Sequence, residues 1–379
     1  MNQHPELVAK TLFDEGVRLF DARQYEAALV SLDAALELEQ SYTEAWCCRG
    51  LALGHLKRYA ESVDSFNRAL ALNQRDYRSL NGRGLVLAEW GKHKEAVDSF
   101  NQLLEFYPYD FSAWDSKGTS LTELGRYNEA LNAYERAIEF NPSHYKAFTN
   151  RGSVLVNLRR FKGAIRSYDQ AISIHPDEPA VWYNRGCAFM AWEKPSEAIE
   201  SFDKAIEIDP NYTSAWINRG NMFGQLGKEE EALICYEQAV KINPNDTHAW
   251  NNHGITLRRL GRTKQAIASY DKSVAADPNN YEAWDNRGYA LAKLGNYREA
   301  HTSIDRSLQV KPDHANGIYN KGYCYACQGK TTLAVDYIAK AIMMNPARYL
   351  PAAKTDPDLD TLRKNKRFQS ILQGNFKAV

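Results

Sequence analysis

The sequence has no excess charge of either sign: Lys and Arg together number 47, Asp and Glu together number 47, and the net charge is zero. Without a long-range field, neither nucleic acid nor an anionic membrane surface is drawn in from a distance, and a partner must be recognised through local contacts. Cysteine is sparse. Six in 379 residues, four of them scattered as Cys47, Cys48, Cys187 and Cys235, do not make a disulfide framework, which fits a reducing compartment. No apolar run approaches the roughly 20 residues that a spanning helix needs. The first twenty residues carry scattered charge, with no apolar core and no small-residue cleavage site. These absences predict a cytoplasmic chain with no signal peptide and no membrane insertion.

Motifs of catalysis are missing as well. GxxxxGK[ST], GxGxxG after a strand, GxSxG and HExxH do not occur, so nucleotide, hydrolase and metalloprotease readings lack their basis. The nine His are dispersed, with no pair at i, i+4. Cys324 and Cys327 spell CxxC, yet no second CxxC or HxxxH follows, and Cys commonly behaves as a small buried hydrophobe. The expectation is no enzyme, no cofactor and no metal site.

What the sequence does contain is a repeat. Gly stands at 16, 50, 84, 118, 152, 186, 220, 254, 288 and 322, each 34 residues after the last. Four residues before these glycines come Leu12, Trp46, Leu80, Trp114, Phe148, Trp182, Trp216, Trp250, Trp284 and Ile318. Twelve after them is a small residue, from Ala28 and Ser62 to Ala334, and four further a large one such as Phe66, Phe100, Tyr134, Tyr168, Phe202, Tyr236 or Tyr270. Pro108, Pro142, Pro176, Pro210, Pro244, Pro278, Pro312 and Pro346 recur at one phase and forbid continuation of a preceding helix. The spacings of three and four place each set on one helical face, so every unit contains two helices. Small residues opposite large ones let the backbones approach without voids.

This pattern resembles that of the tetratricopeptide-repeat family over residues 9–348, without an insertion. The resemblance implies an all-α, right-handed superhelical solenoid of ten helix-turn-helix units, preceded by an N-terminal extension (1–8). Residues 349–379 lose the period but keep Leu359, Leu362, Phe368, Ile371 and Leu372 on helical spacing, as expected of a helical C-terminal cap over the last unit. That tail resembles those of bacterial, cyanobacterial-like members and implies a bacterial source.

The residue before each Gly is basic or His in nine units: Arg49, Arg83, Lys117, Arg151, Arg185, Arg219, His253, Arg287 and Lys321. It lies only about 60° round the helix from the Trp place, on the shoulder of the buried face. Internal pairing with the acid eighteen residues on (Glu135, Asp169, Asp203, Glu237, Asp271, Asp305) is expected in preference to a solvent-facing basic ladder.

The face opposite the Trp carries Asn150, Asn184, Asn218, Asn252, Asn286 and Asn320 in six consecutive units, two residues after the Trp place. In the tetratricopeptide-repeat family the first helices line the concave groove, so the resemblance places this stripe there. It is similar to the asparagine ladder in the repeat domain of the O-linked N-acetylglucosamine transferases, which implies a grip on extended peptide backbone. The alternative is that these asparagines are consensus residues copied with each unit. Tyr289, Tyr319 and Tyr323 are candidate groove aromatics on the same face. The Lys and Asn pair with which chaperone-linked members hold peptide carboxylates is missing from every first helix. The leading expectation is therefore an adaptor or assembly scaffold holding a protein or peptide segment in its groove. The other readings are an RNA-binding helical-repeat protein, which requires the basic ladder to face solvent, and a structural protein that self-associates through an end unit.

Overall fold

A computed structural model describes residues 5–374; residues 1–4 of the expected N-terminal extension and 375–379 of the expected cap lie outside them. The described residues form helices and turns and no strand. They divide into two compact bodies, ending at Trp192 and starting at Glu193. The first holds α1 (Pro5–Asp21), α2 (Tyr25–Leu38), α3 (Thr43–His55), α4 (Tyr59–Leu72), α5 (Tyr77–Glu89), α6 (His93–Phe106), α7 (Phe111–Glu123), α8 (Tyr127–Phe140), α9 (Tyr145–Asn157), α10 (Phe161–Ile174) and α11 (Pro179–Ala191). The second holds α12 (Pro195–Ile208), α13 (Thr213–Gln225), α14 (Glu229–Ile242), α15 (Thr247–Arg259), α16 (Thr263–Ala276), α17 (Tyr281–Lys293), α18 (Tyr297–Val310), α19 (Ala315–Cys327) and α20 (Thr331–Met344). Its tail adds α21 (Pro346–Thr355), a 3-10 turn (Pro357–Leu362) and α22 (Lys366–Leu372). α1 starts inside the span expected as an extension, and α21 starts at Pro346, which serves as the first residue of a new helix as well as the stop for α20.

Odd-numbered helices up to α19 are the first helices of their units and even-numbered ones the second. The registers seen in the sequence have direct packing causes. A Cβ on Gly50 would lie 2.8 Å from the Phe66 ring, and one on Gly254 would lie 2.5 Å from that of Tyr270. Glycine is what lets the first helix meet the large residue of the second. Phe66, Phe100 and Tyr270 are fully buried at these crossings. Each contributes about 2 kcal/mol through burial alone. The Trp and Pro registers are also coupled. The indole Nε1–H of Trp114, Trp182 and Trp216 donates to the carbonyl of Pro108, Pro176 and Pro210 at 2.9 Å, and Trp250 and Trp284 repeat this on Pro244 and Pro278. Each Trp thereby fixes the turn that delivers the chain into its own helix.

The basic register pairs differently from expectation. Arg185 binds Asp169 at 2.8 Å, Arg219 binds Asp203 at 2.6 Å, Arg287 binds Asp271 at 2.6 Å and Lys321 binds Asp305 at 2.5 Å, each acid lying sixteen residues before its base. The partner is thus the second helix of the preceding unit, and Asp169, Asp203, Asp271 and Asp305, each eighteen residues after one base, serve the next base instead. The base also reaches its own second helix: Arg49 to the Ser65 hydroxyl, Arg83 to Ser99, Arg151 to Ser167 and Arg287 to Ser303. Arg49, Arg83, Arg219 and Arg287 each tie together two second helices, and the guanidinium lies 5.4–5.8 Å from the large ring of its own first helix in Arg49/Trp46, Arg151/Phe148, Arg185/Trp182 and Arg219/Trp216. The hydroxyl register at Ser65, Ser99, Ser167, Ser269 and Ser303 is visible in the sequence as a further 34-residue series, and it is the signal that the base reaches to both sides.

Candidate functional site

In each body the first helices touch one another on the side turned away from the second helices, and the asparagine register lies along that contact. It is less exposed than helical geometry alone predicts. Asn150, Asn184, Asn218, Asn252 and Asn286 are partly buried, and Asn320 is buried. Their amides reach the preceding first helix: Asn150 Nδ2–H donates to Asp115 at 3.2 Å, Asn252 to Asn221 at 3.2 Å, Asn286 to Asn251 at 3.0 Å and Asn320 to Asp285 at 2.8 Å. The expected exposed stripe is therefore corrected to a partly buried row of amides, of which Asn150, Asn252, Asn286 and Asn320 are clamped by a neighbour on the preceding first helix. A primary amide has two N–H donors and an oxygen that can accept twice, so one such bond leaves further capacity along the same edge.

The residues that hold the amides form a pattern of their own. Asp285 is 1% exposed and accepts from Asn316 at 2.6 Å and Asn320 at 2.8 Å, with His314 Nε2 at 3.2 Å. Asp115 repeats the arrangement with Asn150 and with His144 at 3.4 Å. A buried carboxylate is tolerated only with such partners. These Asp and His positions were not singled out in the sequence, where each occurs in too few units to show as a register.

Two cavities open on this face of the second body. One, of about 280 Å³, is bounded by Asn221, Gln225, Asn252 and Arg259, with the Tyr236 hydroxyl donating to Asn221 at 2.7 Å. The other, of about 490 Å³, is bounded by Arg258, Asn286, Tyr289, Asn320, Arg348 and Tyr349. Here the candidate aromatics separate. Tyr289 is partly exposed, 5.1 Å from the Arg258 guanidinium. Tyr319 and Tyr323, expected in an open groove, are 7% and 1% exposed. The tail covers them: Tyr349 stacks on Tyr319 at 5.2 Å, and the Tyr323 hydroxyl donates to Asp358 at 2.7 Å, a carboxylate also paired with Lys293. Among the described residues the Tyr319 hydroxyl has no hydrogen-bond partner, and the phenol borders the larger cavity. Burial pushes its acidity well below that of free tyrosine.

The CxxC pair lies in α19, where burial pushes the Cys324 thiol up to about 11 and raises that of Cys327 as well, which suppresses the thiolate that redox and metal chemistry require. Among the described residues no group of three or more His, Cys, Asp or Glu is placed to hold a metal ion. Nor is any described helix long and apolar enough to cross a membrane.

Paired helices, the glycine crossing and the indole-to-proline bond recur unit after unit, and family models of the tetratricopeptide repeat match residues 13–76, 49–111, 116–179 and 286–349, more than half of the chain. The chain belongs to the tetratricopeptide-repeat family. Further matches of that description cover 179–212, 213–246, 235–268 and 269–302. Membership makes this tetratricopeptide-repeat chain a protein-interaction scaffold in the broad sense. Its fold is similar to the C-terminal part of a TPR repeat-containing protein from Cytophaga hutchinsonii, with TM-score 0.52 and 21% identity, covering 62% of this chain and 96% of that one. It is likewise similar to a tetratricopeptide repeat protein from Parabacteroides merdae, with TM-score 0.52 and 18% identity, covering 66% and 99%. YrrB, described as a TPR protein with an unusual peptide-binding site, is 25% identical with TM-score 0.44, covering 50% and 98%. A comparison with curated proteins finds no match.

Proposed function

We propose that this chain is a non-enzymatic, cytoplasmic adaptor that holds an extended segment of a partner protein against the first-helix face of its second body, along Asn218, Asn252, Asn286 and Asn320. The observation that carries the reading is the clamped amide row. Because Asn252 and Asn286 are each oriented by a bond to the preceding helix, their remaining donor and acceptor capacity is pre-organised, and a peptide backbone matches it in kind. In the second body the row borders both cavities, which gives side chains of the bound segment somewhere to go. The tail lies over the last unit, so the accessible stretch runs from Asn218 to Asn286. The RNA-binding alternative needs a free basic ladder, and those bases are engaged with acids, hydroxyls and rings.

The test is to select binding peptides from a displayed random library on the full chain and then measure them against Asn218→Ala/Asn252→Ala/Asn286→Ala. Each backbone hydrogen bond contributes about 0.5–1.5 kcal/mol, so affinity is expected to fall roughly tenfold or more. The same bonds join first helices, so a modest drop in melting temperature accompanies the change, and affinity is compared well below both transitions. Selected peptides that bind the triple variant as well as the wild type would remove the asparagines from the site.

A further inference from the structure

The fifth unit departs from the repeat at the turn between α9 and α10. In four other units the residue just before the second helix is basic and pairs with a glutamate three residues on: Arg58 with Glu61 at 2.5 Å, Lys92 with Glu95 at 3.5 Å, Arg126 with Glu129 at 2.6 Å and Lys194 with Glu197 at 3.2 Å. Here the same places hold Arg160 and Gly163, so the base keeps its charge and loses its acid. Nearby, Arg159 takes the left-handed turn position, φ 57°, that Gly125 fills in the fourth unit. Arg166 stands where the adjoining units have Asn132 and Glu200.

The same stretch borders a cavity of about 860 Å³ in the first body, lined from α8, α9 and α10. Arg159, Arg160, Lys162 and Arg166 line it, and none of the four forms an ion pair among the described residues. The two carboxylates in the lining are already matched, Asp169 by Arg185 at 2.8 Å and Glu135 by the adjacent charge of Arg151. Four unmatched cations round one cavity repel one another, and an anionic ligand relieves that repulsion. The floor is apolar, formed by Leu131, Leu155 and Phe161.

We propose that this cavity docks an acidic segment of a partner protein, which sets carboxylates against Arg160, Lys162 and Arg166 and lays an apolar side chain on Leu155 and Phe161. Nucleic acid fits less well. Its phosphates need a track of cations, whereas the excess here is confined to one unit, flanked by units whose bases carry their own glutamates. The site lies on the second-helix side, so it stands or falls independently of the asparagine row.

The test uses the full chain and a fluorescent peptide of Glu and Asp residues around one central Leu, with a Gln and Asn peptide of the same length as control. The acidic peptide is expected to bind, more weakly as salt rises, and the control not to. Gly163→Glu introduces the acid that six other units carry at this place and is expected to weaken binding by about tenfold or more without lowering the melting temperature. Gly163→Ala, which adds bulk and no charge, keeps binding within about twofold of wild type, since charge and not volume is what it leaves unchanged. Equal binding of the two peptides, or undiminished binding to Gly163→Glu, would overturn the proposal. A single-stranded RNA that outcompetes the peptide would overturn its choice of partner.

Discussion

At the residue scale, His253 shows what one exchange inside a periodic network does. It takes the place that Arg or Lys holds in eight other units, and its ring lies 2.9 Å from the Ser269 hydroxyl and edge-on to Trp250. Burial lowers its pKa from 6.5 to about 4. The unfolded chain therefore binds the proton more readily than the folded one. The contribution to stability is complete above pH 6.5 and is lost progressively as the pH falls towards 4. His253→Arg removes this titration and puts a permanent cation sixteen residues after Glu237. The melting temperature of the wild type is expected to fall away from that of the variant as the pH is lowered from 7 to 4.5, by circular dichroism. Parallel curves would show that another group governs the acid limb. The asparagines teach a related lesson: their series is plain in the sequence, but the bonds of Asn150, Asn252, Asn286 and Asn320 depend on a residue about one unit earlier, which varies among Asp115, Asn221, Asn251 and Asp285.

At the scale of the element, the same substitution has opposite signs at two glycines. Gly254→Ala drives a Cβ to within 2.5 Å of the Tyr270 ring, at a crossing closed on both sides. Overpacking of this kind costs about 1–3 kcal/mol. Gly163 lies within α10, where the nearest atom to an added Cβ is Leu155 Cδ1 at 3.4 Å, an ordinary contact. Gly163→Ala is expected to stabilise by about 0.5–1 kcal/mol through lower chain entropy and better helix propensity. Thermal melts of the two variants beside the wild type check both, and a shift of the same sign in each would refute the packing account. Helix pairing was legible because the crossing needs a small residue against a large one sixteen residues later in every unit. The direction of the ion pairs was not. When an acid recurs every 34 residues, one that lies eighteen ahead of a base implies another sixteen behind it, and periodicity cannot choose between them.

For the molecule as a whole, the end of a stack is where burial is incomplete, because the last helical pair lacks a following neighbour. The tail supplies one: Tyr349, Leu359, Leu362, Phe368 and Ile371 are buried in one cluster with Tyr319, Tyr323, Ile338 and Ile342. Arg367 pins α22 to Asp336 at 2.5 Å. Each buried side chain of that size is worth about 1.5–3 kcal/mol. A chain ending at Pro346 is therefore expected to melt at lower temperature and to aggregate, as followed by circular dichroism and light scattering. Unchanged melting and solubility would show that the tail is not a cap.

The sequence alone determined the ten units, their two helices each and the residues at every helix crossing, because a contact repeated in register leaves the same residue type at the same phase. It also marked the asparagine row. Tertiary structure alone decided what is not periodic: which neighbour each base grips, the covering of Tyr319 and Tyr323 by a tail with no counterpart elsewhere in the chain, and the cavity of the fifth unit. That cavity is lined by Gly163, where six other units carry glutamate, and by four cations that form no ion pair among the described residues. Period analysis finds agreement between units, while function in a repeat protein resides in the places where one unit differs, and the consequence of a difference depends on which side chains fold around it.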